Sequence, residues 1–268
     1  MIANPLADLL RWYIAMGADE AVGDRPLDRC RVSAIAVSEP EPNPMPRPNP
    51  PRAGPPPLPS HPGQLTPPVL AAAGAKEAAL AAKTLAELEA AVRNFEGCGL
   101  KRTATHTVFA DGNPAAPLMV IGEAPGADED RIGRPFVGRA GQLLDRMLGA
   151  IGVDRTNAYI TNVLFWRPPG NRKPTPDEIA SCLPFVWRHI ALCQPRVVML
   201  AGGTSTAALL GRSEGIMKLR GRWFDLEVAG LDHKVPAIAT FHPAFLLRAP
   251  ARKNEAWADL LSVQSKLE

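Results

Sequence analysis

From residue 118 onward, apolar positions fall into short continuous runs separated by stretches with helical spacing. The runs at residues 118–121, 158–163, 197–201 and 235–240 are mostly unbroken rather than alternating, the pattern of strands buried on both faces. Residues 141–151, 176–193, 205–210 and 252–267 carry the helical spacing. This alternation predicts a three-layer α/β/α domain around a central, mainly parallel sheet. Thr175, Pro176 and Glu178 mark the start of one helix as cap, first-turn proline and box partner, and Pro184 is expected to kink it.

Nearer the N-terminus the pattern changes. Leu6, Leu9, Leu10 and Tyr13 share one face of a predicted amphipathic helix ending near Gly17. From Glu39 to Pro68 the prolines remove backbone donors and offer no apolar face, so the stretch reads as an extended tether rather than a proline-recognition ligand. Helical pattern resumes around Ala72, and Thr84 with Glu87 forms a capping box ahead of Leu85, Leu88, Val92 and Phe95. The expected organisation is an N-terminal helical segment (1–37), a Pro-rich linker (38–71) and one folded domain (72–268).

Composition supports this division. Of 268 residues 46% are hydrophobic and 21% charged, enough for one packed core, while 29 prolines exceed what a folded domain alone would use. The net charge of +3 permits an anionic partner without demanding one. Cys30, Cys98, Cys182 and Cys193 stand far apart with no CxxC pair, which argues against a disulfide framework or a zinc site and for reduced thiols. No apolar run approaches the length of a membrane span, so a soluble, cytoplasmic protein is expected.

In an open α/β sheet, ligands bind beyond the carboxyl ends of the strands. The first strand ends in Gly122-Glu123-Ala124-Pro125-Gly126, a tight loop presenting a carboxylate and backbone amides, or simply a turn. Neither a GxGxxG fingerprint nor a GxxxxGK[ST] loop occurs. The second strand ends at Asn162, whose amide can read a base edge or pair with backbone. The third runs into Gly202-Gly203-Thr204-Ser205, small residues opening a helix, where a phosphate can sit on backbone amides. The fourth leads to His242, fixed by Pro243, then Phe245, Leu246, Leu247 and Arg248.

The segments GEAPG, EDRIGRPFVGRAGQLLDRML, YITNV with RPPGNR, and HPAFLLR resemble the family 4 uracil-DNA glycosylases, in order and over roughly residues 95–267. The resemblance implies a base-excision repair enzyme that flips uracil out of DNA and hydrolyses its N-glycosidic bond, releasing free uracil and leaving an abasic site. It implies that Glu123 orients water or stabilises the sugar cation, with Glu129 and Asp130 either assisting or simply solvated. It also implies that Phe136 stacks on the base, Asn162 bonds its N3 and O4 edge, and His242 its O2. Gly122, Ala124 and Gly126 would surround the substrate, and Leu246 would wedge into the vacated stack. DNA contact is expected from Arg139, Arg172, Thr204, Ser205 and Arg248, with Arg134, Arg167 and Arg220 adding to a basic face. Uracil-containing DNA is the expected partner, no membrane is involved, and the protein is expected to be a monomer.

The chain departs from that family at its iron-sulfur cluster. The four ligand positions hold Phe95, Cys98, Trp166 and Cys182, so two of four thiolates are missing and no cofactor is expected. The aromatic residues would fill the vacated volume, leaving Cys98 and Cys182 as buried thiols. A self-trapping or non-catalytic uracil-DNA-binding protein is the alternative. The loop 168–174 lacks the inserted histidine of the self-crosslinking branch, and Glu123 argues against inertness.

Overall fold

In the computed structural model of the protein, residues 68–268 are described. The expected helix from Leu6 to Tyr13, the Pro-rich linker through residue 67 and Cys30 lie outside the described residues. Four continuous apolar runs form parallel strands: β2 (Leu118–Gly122), β3 (Ala158–Asn162), β4 (Val197–Ala201) and β6 (Val235–Thr240). Two antiparallel edge strands, β1 (Ala110–Gly112) and β5 (Trp223–Leu226), complete a six-stranded sheet in the order β1-β3-β2-β4-β6-β5. Neither edge strand stands out in the sequence, because each is short and none of the β1 residues is fully buried.

Successive side chains of a strand point to opposite faces, and β2 shows the consequence. Met119 and Ile121 join one core with helices α1 (Pro68–Ala81), α2 (Leu85–Asn94) and α5 (Pro176–Cys193). Leu118 and Val120 join the other with α4 (Arg139–Gly149), α8 (Pro243–Arg248) and α9 (Lys253–Leu267). Helices therefore cover both faces. Three short helices, α3 (Ala127–Ile132), α6 (Gly203–Leu210) and α7 (Ile216–Leu219), lie in the connections. Among the described residues no helix is long and apolar enough to cross a membrane.

Local signals set several helix ends. At α5 the Thr175 hydroxyl accepts from the Glu178 amide at 3.3 Å while the Glu178 carboxylate accepts from the Thr175 amide at 2.8 Å. At α2 Thr84 caps the Glu87 amide, but Glu87 reaches one residue further back, to the amide of Lys83. Helix α1 begins at Pro68, ahead of the expected start near Ala72. Helix α5 continues unbroken through Pro184 to Cys193.

The strand order reverses at β2, whose neighbours β3 and β4 leave it in opposite directions along the sheet. Gly122 pairs with Asn162, and Ala201 with Thr240, so the four strand ends stand side by side. The loops read as chemically suggestive all emerge at this edge.

Candidate active site

A cleft of about 400 Å³ opens at this edge, lined by Glu123, Phe136, Asn162, His242, Phe245 and Arg248 among others. Asn162 closes β3 and is 1% exposed. Its side-chain oxygen has no hydrogen-bond partner within the protein. A buried acceptor left unpaired is costly, so a donor arriving in the cleft gains what the fold leaves unsatisfied.

Phe136 forms the wall beside it. A Cβ on Gly122 would collide with both the Asn162 side-chain oxygen and the Phe136 ring. Gly122 is thus needed for close packing. It is itself buried and does not line the cleft, contrary to the expectation of substrate contact. Phe136 stacks on His242 with ring centroids 5.5 Å apart and planes 27° apart.

His242 caps α8, and its Nδ1 accepts from the Ala244 amide at 3.1 Å. Burial, then the positive charge of Arg248, push its pKa down to about 4, with Glu129 opposing. The ring is therefore neutral near pH 7, and its proton sits on Nε2 because Nδ1 is the acceptor.

Glu123 lines the cleft, and its carboxylate accepts from the Thr204 hydroxyl at 2.5 Å. Thr204 is accordingly a partner of Glu123 rather than a phosphate ligand. Ser205 is fully buried and donates to the Gly202 carbonyl at 3.1 Å, so it too presents nothing to DNA. Both hydroxyls turn inward because they occupy the first turn of α6, where small side chains bond back to the strand end or reach across it.

Other expectations also need correction. Leu246 is 1% exposed and belongs to the core under α8, so it is not available as a wedge; Ala244 and Phe245 are the apolar side chains of this helix at the cleft. Ala124 and Gly126 both line the cleft, the Gly126 amide being taken up by Glu129. Glu129 accepts from the amides of Gly126, Val137 and Gly138 at 3.0, 2.9 and 2.8 Å. Asp130 accepts from those of Thr105 and His106. Both carboxylates are buried loop clamps rather than solvated surface groups, and Glu129 also lines the cleft.

Among the arginines, Arg248 and Arg172 line the cleft, Arg172 while paired with Glu178. Arg139 is exposed at the first residue of α4, next to the cleft-lining Ala140. Arg167 bonds Asn171, Arg134 pairs with Asp111, and Arg220 is held by the buried Asp259. Arg155, which has no motif around it, makes bonds to the Phe136 loop that sequence reading missed.

Residues 109–261 match the Uracil DNA glycosylase superfamily. The chain belongs to that superfamily. It is 38% identical over 180 residues to a Type-4 uracil-DNA glycosylase of Pyrobaculum aerophilum, an alignment spanning 66% of this chain and 91% of that protein. It is 41% identical over 165 residues to the Type-4 uracil-DNA glycosylase of Thermotoga maritima, spanning 61% and 82%. A third relative of the same description, from Archaeoglobus fulgidus, is 36% identical over 185 residues, spanning 68% and 92%.

The iron-sulfur cluster implied by family resemblance does not fit the residues brought together here. Cys98 and Cys182 are buried free thiols that interact; this interaction and burial push Cys182 up, while the interaction with Cys182 draws Cys98 down against its burial. At the other two positions Phe95 packs edge-on against Phe185 at 5.1 Å, and buried Trp166 donates its indole N–H to Thr107 at 3.1 Å. Two thiolates fall short of the usual four. Among the described residues no group of three or more His, Cys, Asp or Glu side chains could hold a metal.

Proposed function

We propose that this chain is a monofunctional uracil-DNA glycosylase, releasing free uracil from DNA inside the cell to start base-excision repair. The observation carrying this reading is the unpaired, buried side-chain oxygen of Asn162 beside an aromatic wall and a neutral histidine. Uracil carries a matching set of groups. Its N3–H can donate to Asn162 Oδ1, its O4 can accept from Asn162 Nδ2, and its O2 can accept from His242 Nε2. Phe136 supplies the face on which the extruded ring stacks.

Bond cleavage follows from the same groups. When the C1′–N1 bond breaks, its electron pair goes to the base, and the developing charge at O2 meets the Nε2–H donor. The sugar is left oxocarbenium-like, facing the Glu123 carboxylate. A water oriented by Glu123 adds its oxygen to C1′ and gives a proton to that carboxylate, while the departing uracil anion takes one from solvent to become free uracil. Arg139, Arg172 and Arg248 are the candidates for phosphate contact. No step uses a metal, and we read Phe95 and Trp166 as the packing that replaces a cluster.

The test is excision from oligonucleotides carrying a single uracil, thymine or hypoxanthine, read as alkali-labile cleavage. Cleavage at uracil, slowed in Glu123→Gln while uracil-DNA binding survives, is expected. Binding without cleavage would favour the self-trapping or non-catalytic alternative.

A further inference from the structure

Phe136 stands in the left-handed region at φ 54°, a conformation that disfavours residues with a side chain. Two features hold it there. A Cβ on Gly141 would overlap the Phe136 carbonyl, so only glycine lets the loop lie so close to the first turn of α4. On its other side, Arg155 donates through Nη2 to the Phe136 carbonyl and through Nη1 to the Pro135 carbonyl, the latter at 3.1 Å.

The guanidinium is itself fixed from behind. Nη1 also donates to Asp111 of β1, and Nε donates to Asp145 of α4 at 3.0 Å. Asp111 is tied in turn to Arg134 at 2.9 Å. Burial works against the charge on Asp111, but the bonds from Arg134 and Arg155 outweigh it and keep the carboxyl below its usual range. One planar fork thus links the edge strand, α4 and the strained loop carrying the aromatic wall. A guanidinium suits the task because its donors lie in one plane at fixed angles.

We propose that Arg155 is the positioning residue for the base platform, holding the Phe136 backbone so that its ring stays parallel to the incoming uracil. This rests on the reading of Phe136 as that platform. Arg155 touches neither substrate nor reacting atoms, and acts through Phe136 alone.

A double-mutant cycle with excision kinetics on single-uracil DNA tests it. Arg155→Met and Phe136→Ala are each expected to lower kcat/KM by about tenfold, the scale of one base-aromatic stack. The double variant should lose little more than either single one, because both remove the same interaction. Arg155→Lys keeps a positive charge beside Asp111 and Asp145 but not the planar fork, and should remain impaired. If Arg155→Met loses its cooperative thermal transition, Arg155→Lys carries the cycle. Losses that simply multiply, or full activity in Arg155→Lys, would overturn the proposal and leave the platform reading standing. An unimpaired Phe136→Ala would overturn the platform reading and the proposal together.

Discussion

The Thr204 hydroxyl donates to the Glu123 carboxylate at 2.5 Å, joining the ends of β2 and β4 across 81 positions of sequence. A carboxylate on a glycine-rich loop has many rotamers, and this bond selects the one that faces the cleft. Removing the donor in Thr204→Val, which keeps the shape, should slow excision by roughly tenfold or more, since hydrogen bonds to charged groups are worth ~1.5–3 kcal/mol. Thr204→Ser should keep most of the rate. Single-turnover kinetics on the two variants checks this, and equal rates for valine and serine would mean that Glu123 is positioned by something else.

Asn162→Ala should abolish uracil discrimination far more than general DNA affinity. The variant removes the unpaired acceptor and the amide donor together and leaves the candidate phosphate ligands Arg139, Arg172 and Arg248 in place. Each unmatched buried group typically costs ~1–3 kcal/mol, so excision should fall by one to several orders of magnitude while binding to undamaged DNA changes little. Parallel excision and binding measurements give the answer, and equal losses in both would make Asn162 a structural residue.

Two histidines, His189 fully buried and His242 partly buried, link stability to pH. Burial lowers His189 to about 3, and burial together with Arg248 lowers His242 to about 4. Both pKa values lie below the unfolded value near ~6.5, so the unfolded chain binds more protons in the interval between. Their neutral forms are fully compatible with folding above that value, and stability is lost as pH falls from there toward 4. His189→Gln retains a partner for the Tyr159 hydroxyl but cannot titrate, so its stability should fall less steeply over this window. Denaturant melts between pH 7 and 4 measure the slopes; parallel curves would exclude His189 as a contributor. Excision should be insensitive to His242 protonation from pH 8 down to about 5.

Protein purified in air should be colourless and free of stoichiometric iron. With Phe95 packed on Phe185 and Trp166 bonded to Thr107, the segments that a cluster would clamp are joined by side-chain packing. Chelator should leave the melting temperature unchanged. Iron in stoichiometric amount, with visible absorbance lost on chelation, would require ligands beyond Cys98 and Cys182.

The sequence by itself determined the parallel core, because strands buried on both faces need continuous apolar runs and the four such runs read from it are where those strands form. It also determined the start of α5, since Thr175 and Glu178 close their box within one turn. Strand-end position made Glu123, Asn162 and His242 legible as candidates together, and Phe136 followed from its motif. Tertiary structure alone decided which neighbours of those residues face the cleft. Leu246 and Ser205 read as surface groups and turn inward, because a short helix packed on a sheet edge has an inner face that local spacing does not mark. Thr204 and Arg155 act on residues far away in the chain, through hydrogen bonds that exist only once β2 lies beside β4 and the loop before β3 lies beside the Phe136 turn. The edge strands β1 and β5 escaped for a related reason: so short a strand is defined by the neighbour it pairs with, not by its own apolar pattern.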